Sequence, residues 1–185
     1  MTLLTLDEIE KGLDQEFRSL EPMLTGLRLI KGGVSEESLN HAENLFAVAF
    51  PDAFRTLIKT YDFGWLTIGP ILFCNTGDYL HELWELNTQV RWWGGDTRPA
   101  NLLMVANSDP YSILLDLKSG WVMAADVEIG WQRATVIAKD FEVYLRGVGT
   151  IMLHRNQWRD TSPLGQAVAV DVGALDICYW SQLAK

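Results

Sequence analysis

Leu6, Ile9, Leu13, Phe17 and Leu20 fall at spacings of three and four and form one apolar stripe, which predicts a helix over residues 6–20. Thr5 and Glu8 occupy the two positions of a capping box at its start. Glu21-Pro22 ends it, because a residue before proline avoids the helical region. Residues 27–30 read as a short strand, followed by a turn at Gly32-Gly33. A second stripe runs through Leu39, Ala42, Leu45, Phe46 and Ala49. Ser35 caps it, and Glu36 and Glu37 lie in its first turn, where the helix dipole favours acids. Pro51 suits the first turn of a third helix, since its missing N–H has no partner there in any case. Phe54, Leu57, Ile58 and Tyr61 are that helix's apolar face, and Gly64 is its expected close.

From Trp65 the pattern shifts toward strands. Residues 66–73 read as a strand bent at Gly69-Pro70. Residues 78–90 return to helical spacing through Leu80, Leu83, Trp84 and Asn87, and residues 91–96 form a loop with an aromatic tip. Three apolar runs follow, at residues 102–106, 111–117 and 121–125. Turn residues separate them, Asn107-Ser108-Asp109-Pro110 and then Lys118-Ser119-Gly120, so they read as an antiparallel meander. Residues 132–138 add an edge strand. Residues 140–153 are helical, with Phe141, Tyr144, Leu145 and Val148 on one face, although Gly147 and Gly149 weaken the helix. In the tail, residues 166–170 read as a strand and residues 174–183 as a short helix. The expected fold is α+β. Its antiparallel sheet is packed by the second and third helices and the helix of the 140s, with the first helix as an added brace.

Composition narrows the function more than it names it. A chain of 185 residues that is 48% apolar can bury a real core as a single domain spanning residues 1–185. Its 24 acids outnumber 15 bases, for a net charge of −9. That excludes nucleic acid and anionic membrane surfaces as direct ligands, which need a basic stripe. It suits a basic protein partner, through steering and complementarity, and it also serves solubility alone. The opening MTLLTLDEIEKGL lacks the basic start and apolar run of an export signal, and no stretch has the length of a membrane span. The expectation is a cytoplasmic protein. Cys74 and Cys178 are then expected as reduced, buried thiols, with a Cys74–Cys178 disulfide as the alternative.

The residues offer little for catalysis, and no catalytic, metal-binding or cofactor-binding set is assigned. His81-Glu82-Leu83-Trp84-Glu85 starts like a zinc-protease helix, but position 85 would have to be histidine to complete the metal pair. Only His41, His81 and His154 are present in the whole chain, which supplies a metal site poorly. Asp116, Asp126 and Glu128 are explained as solvated strand ends. Asp78, Glu82 and Glu85 share a helix side at spacings of four and three, and present one acidic stripe. Trp92 and Trp93 follow in the glycine-rich loop between Arg91 and Arg98. Adjacent loop residues point apart, so either one ring is buried while the other anchors a contact, or both fold back as a lid. Trp65, Trp84, Trp121, Trp131, Trp158 and Trp180 are assigned to the core or its rim. The candidate partner surface is therefore Asp78, Glu82, Glu85, Trp92 and Trp93.

Three stretches taken in order resemble one family. They are Ala42-Glu43 through Phe50-Pro51 to Tyr61 and Gly64, then residues 103–122 with their Asp-Leu-Lys-Ser-Gly turn, then residues 137–145. The chain resembles the SUKH superfamily, whose founding members are the fungal cell-wall-assembly regulators of the Smi/Knr type. The match covers residues 35–150, and leaves residues 5–21 and 154–185 as extensions. It departs from the family in Phe50-Pro51 where Leu-Pro is usual, in Asp62-Phe63-Gly64 where Asn-Gly is usual, and in Asp140-Phe141 where Ser-Phe is frequent. The resemblance implies a non-catalytic binding module. Bacterial members of this kind are immunity proteins that occlude a cognate toxin, often a nuclease or deaminase domain. The alternatives are a regulatory scaffold, as in the fungal members, and a small hydrolase whose carboxylates converge in three dimensions. The same acidic, tryptophan-rich surface could also serve a homodimer.

Overall fold

The computed structural model describes residues 2–185. Its architecture is α+β, built on a six-stranded antiparallel sheet whose spatial order follows the chain order. Helix α1 spans Leu6–Phe17 and a 3₁₀ turn continues it to Leu20. The Thr5–Glu8 capping box is present, with the Thr5 N–H donating to Glu8 at 2.8 Å. Helix α2 is Glu36–Phe46, capped by Ser35, and α3 is Asp52–Thr60, with Pro51 as the residue just before it. A minimal hairpin follows, β1 Thr67–Ile68 and β2 Ile71–Leu72, turning at Gly69-Pro70. Helix α4 is Tyr79–Thr88, and a 3₁₀ turn, Val90–Trp93, ends it. The meander is β3 Leu102–Ser108, β4 Tyr111–Asp116 and β5 Val122–Asp126, and β6 is Thr135–Ala138. Helix α5 is Phe141–His154, capped by Asp140, then come α6 Ser162–Val172 and α7 Cys178–Leu183. Among the described residues, no helix is long and apolar enough to cross a membrane.

The strands alternate between two cores. Leu103, Ile113, Leu115, Val122 and Ala124 face the large one, which α3 and α5 cover with Phe54, Leu57, Phe141, Tyr144 and Val148. Leu102, Met104, Leu114 and Ala125 face a second, smaller core with Leu86 and Trp93. Two bulges break the alternation. One falls between Met104 and Ala106 and the other opposite Val122 and Met123. Each lets two successive residues, Val105 with Ala106 and Ile137 with Ala138, turn into the large core. Burying both faces is why β3 reads as an unbroken apolar run.

Both edges of the sheet are closed by neighbouring segments. The Thr67 N–H donates to the Gly26 carbonyl at 2.8 Å, outside β1. Beside β6, the Leu175 N–H donates to the Val136 carbonyl at 2.9 Å. The Trp180 indole N–H donates to the Ile137 carbonyl at 2.7 Å and docks α7 there. Unpaired strand edges invite another chain, and these are occupied.

Several expectations are corrected. Residues 27–30 form no strand. The segment instead runs beside the end of α3, where the Gly32 N–H donates to the Thr60 carbonyl and the Val34 N–H to the Ile58 carbonyl, with one isolated bridge from Lys31 to Tyr61. A Cβ on Gly33 would lie 2.2 Å from the Ile58 carbonyl oxygen, so glycine permits this approach. Arg28 pairs with Asp14 and, at 2.8 Å, with Glu21, which ties the connection to α1. Leu45 is exposed on the outer side of α2, and Ala49 is exposed because α2 ends at Phe46 with Ala47 in the left-handed region. Gly64 is no helix cap, since α3 ends at Tyr61 in extended backbone. Gly64 instead lets the chain pass Gly77, whose carbonyl oxygen would be 2.5 Å from a Cβ there. Residues 166–170 are helical, inside α6, where Leu164, Val168 and Val172 recur every four residues and are buried. The cysteines form no disulfide; Cys74 is buried, but Cys178 is exposed.

Candidate binding cleft on the second face of the sheet

The large core's helices leave the other face of the sheet only half covered. Helix α4 runs along the β3 side, and sends Tyr79 and Leu83 into the large core and Leu86 into the small one. The backbone then tightens into the Val90–Trp93 turn, which Gly94 ends in the left-handed region at φ 67°. This turn separates the two adjacent tryptophans. Trp93 is 1% exposed, and its indole N–H donates to the Leu86 carbonyl at 3.0 Å. Trp92 is 38% exposed and lies against the Arg91 guanidinium, 5.0 Å from its ring centre. Of the two arrangements open in the sequence, the structure has one ring buried and the other outside.

A cleft of about 570 Å³ opens beside this turn. Its floor is the sheet itself, through Met104, Ser112, Leu114 and Ala125. One lip is the Arg91–Asp96 segment. The other is the connection from β5 to β6. That connection is held by its own backbone. The Asp126 carboxylate accepts from the Glu128 N–H at 2.8 Å, the Val127 N–H donates to the Pro110 carbonyl, and the Gly130 N–H donates to the Asp126 carbonyl. Such a turn leaves side chains with nowhere to pack, and Val127 and Ile129 stand 62% and 60% exposed. At its end the Trp131 ring meets Trp93, with centres 6.3 Å apart at 66°. The Trp131 indole nitrogen is buried and, among the described residues, has no hydrogen-bond partner. The charged groups around the cleft are Arg91 against Asp96, Asp126 and Glu128.

The expected surface is divided by this geometry. Trp92 and Trp93 line the cleft, Trp93 as buried wall and Trp92 as exposed lip. Asp78 lies elsewhere, in a separate groove of about 460 Å³ between α2 and α4 that also contains His41, His81 and Trp84. Its carboxylate caps α4 by accepting from the His81 N–H at 3.0 Å. Glu82 and Glu85 line neither concavity and are half-buried. The Glu85 carboxylate accepts from the Gln89 side chain. The exposed positions of α4 are His81, Trp84 and Thr88, so the outward stripe is not acidic. Asp116 and Asp126 both hold turns, Asp116 by accepting from the Lys118 and Ser119 N–H groups. Among the described residues, no group of three or more His, Cys, Asp or Glu is placed to hold a metal ion.

Asp126, Val127, Glu128 and Ile129 were not singled out as contact residues from the sequence. A signal was present, since two β-branched residues alternate with acids in a segment bounded by Asp126 and Gly130, where apolar side chains have no core to enter. Trp65, Trp121 and Trp158 are also exposed, and only Trp93 and Trp180 are fully buried among the eight. No protein-family model matches the chain, and no curated protein is significantly similar to it.

Proposed function

We propose that this protein is a non-catalytic binding module whose cleft on the second face of the sheet seats a basic, apolar segment of another protein. One observation carries the reading: Trp92 on one lip and Val127 and Ile129 on the other expose apolar surface around an apolar floor, beneath three carboxylates and one guanidinium. Exposed apolar surface gathered at a concavity marks an interaction site. Tryptophan is the residue most enriched where binding energy concentrates. The net charge of −9 steers a cationic partner toward the protein and repels an anionic one. Both sheet edges are occupied, which favours a face over strand addition as the mode of contact.

The resemblance to the SUKH superfamily makes the reading more concrete. The partner is then a basic toxin domain of the nuclease or deaminase class, neutralised in the cytoplasm by occlusion of its active site. The test is parallel capture from the native host with tagged wild type and with the doubly substituted Trp92→Ala, Ile129→Asp form. The expected result is a basic protein retained by wild type, weakened by salt and lost from the variant, whose activity falls to zero at one equivalent of wild type. Equal retention by both forms would place the interface elsewhere. Retention without inhibition would remove the neutralising role and leave the regulatory scaffold.

A further inference from the structure

Away from the cleft, at the junction of α5, α6 and the end of α7, the charge balance reverses. Arg155, Asn156, Trp158, Arg159, Thr161 and Lys185 line one open concavity of about 630 Å³. Among the described residues, none of its three cations has an ion-pair partner. That contrasts with Arg28 and Arg55, each of which pairs with two carboxylates. In a chain with 24 acids and 15 bases, unpaired cations converging on one hollow are left available to an outside anion. The only acid within this stretch of chain, Asp160, is already engaged, accepting from the Ser162 N–H at the start of α6 at 3.0 Å. Asn156 and Thr161 add neutral hydrogen-bonding groups, and the Thr161 side chain makes no capping bond to α6.

Trp158 gives the hollow a second kind of surface. It is 41% exposed, and none of the close ring pairs of the protein includes it. Trp180 and Trp93, by contrast, are buried, with their indole N–H groups bonded to backbone carbonyls. An unstacked indole in the same hollow as two arginines fits a planar ring, because aromatic faces stack on any heterocycle. Arginine forks favour phosphate oxygens, which they bind in pairs of hydrogen bonds.

We infer that this hollow binds a small phosphorylated compound carrying a planar ring, the chemistry of a mononucleotide, with the phosphate held by Arg155, Arg159 and Lys185 and the ring laid on Trp158. The size suffices for one such molecule. A polynucleotide fits poorly, because phosphates beyond the hollow meet a protein of net charge −9. The inference is independent of the cleft and of its partner.

The experiment is calorimetric titration of the full chain with ATP, AMP, pyrophosphate and a short single-stranded oligonucleotide, at about 50 mM and about 300 mM salt. ATP should bind, and more weakly at the higher salt. The double substitution Arg155→Gln, Arg159→Gln should weaken ATP by about tenfold or more, the scale of a lost charge-assisted hydrogen bond. Trp158→Ala should weaken ATP and AMP and leave pyrophosphate unchanged. Circular dichroism of each variant, matching that of wild type, shows that folding is intact. No binding of ATP or AMP overturns the proposal, as does binding unaffected by the arginine substitutions. Pyrophosphate binding as tightly as ATP overturns the role of Trp158, and an oligonucleotide binding more tightly than ATP overturns the assignment to a small molecule.

Discussion

The Asn87 side chain holds Met104 by both of its backbone groups: its amide nitrogen donates to the Met104 carbonyl at 2.8 Å, and its oxygen accepts from the Met104 N–H at 2.8 Å. A carboxamide here does what a neighbouring strand would do. The hairpin of β1 and β2 is so short that β2 reaches β3 only at Asn107, leaving the middle of β3 without a strand on that side. Helix α4 supplies the missing partners, Asn87 to Met104 and the Tyr79 hydroxyl to the Val105 carbonyl at 2.9 Å. Asn87 also donates to Leu83, so it ties the helix to itself and to the sheet. The floor of the cleft at Met104 is therefore held by the Asn87 side chain, and its wall at Trp93 by the carbonyl of the preceding residue, Leu86.

Asn87→Leu keeps the volume and strands two buried backbone groups of Met104. Each such group costs about 1–3 kcal/mol, so the expected loss of stability is about 2–4 kcal/mol. Asn87→Asp should be worse, since a carboxylate would face the Met104 and Leu83 carbonyls. Urea unfolding measures both. A loss in Asn87→Leu no larger than that of an exposed substitution would show that water reaches β3 here.

Two glycines inside α5 should differ in how much a substitution costs. Alanine raises helix propensity by about 1 kcal/mol at either site. A Cβ on Gly147 would lie 2.7 Å from the Trp180 ring and 2.9 Å from Val172, and Trp180 is fastened to Ile137. Gly147→Ala should therefore destabilise the protein by about 1–3 kcal/mol net. At Gly149 the obstacle is Ile9 at 2.7 Å, on α1, which braces the domain from outside and can shift. Gly149→Ala should cost less, and Ile9→Val should cost less in that background than in wild type, since it removes one of the three crowding atoms. Equal losses at the two sites would show that α1 is as rigidly held as α7.

Acid should loosen the pairing of α2 with α3. The Glu36 carboxylate accepts from Arg55 at 2.5 Å and also meets Lys59. Hydrogen bonds from Arg55, then from Lys59, lower its pKa from the ordinary 4.5 to about 2. A lowered folded-state pKa means that the carboxylate's contribution is complete above pH 4.5, declines below it, and is gone once pH passes about 2. Urea midpoints of wild type and Glu36→Gln should differ at pH 6 and converge as pH falls through that window. The difference should be small, because the pair is exposed, and it should shrink in high salt. A difference that stays constant with pH would assign the effect of Glu36→Gln to something other than its charge.

The helix boundaries were legible where capping chemistry is local. Thr5 and Ser35 each cap the helix that the apolar spacing predicts, because a side chain and a backbone N–H three residues on need nothing else. The meander was legible for the same reason, through its turn residues. Residues 27–30 misled because a short apolar run has strand character only if a partner strand lies beside it, and here the neighbour is the end of a helix. Residues 166–170 misled because alternating Ala and Val mimic a strand. Leu164, Val168 and Val172 carried the helical period over a longer window.

The candidate site was half legible. Trp92 and Trp93 were identified as a pair, but which of them turns inward depends on Leu86 and on the left-handed Gly94, both set by how α4 ends. The acidic stripe failed for a different reason. Position on a helix fixes which residues share a side, not which side the protein covers, and the neighbours of α4 cover Glu82 and Glu85 in part and leave His81, Trp84 and Thr88 outside.

The bonds from Thr67 to Gly26 and from Leu175 to Val136 have a consequence for how such a chain meets other copies of itself. Polymerisation of sheet proteins proceeds by templating, one free strand registering the next. Here the template is withdrawn at both ends by ordinary loop backbone, so an apolar cleft can stay open to the solvent without seeding a fibre. The edge beside β6 would open only if the C-terminal helices peeled away, and the Trp180 indole bonded to Ile137 is one of the contacts that hold them there.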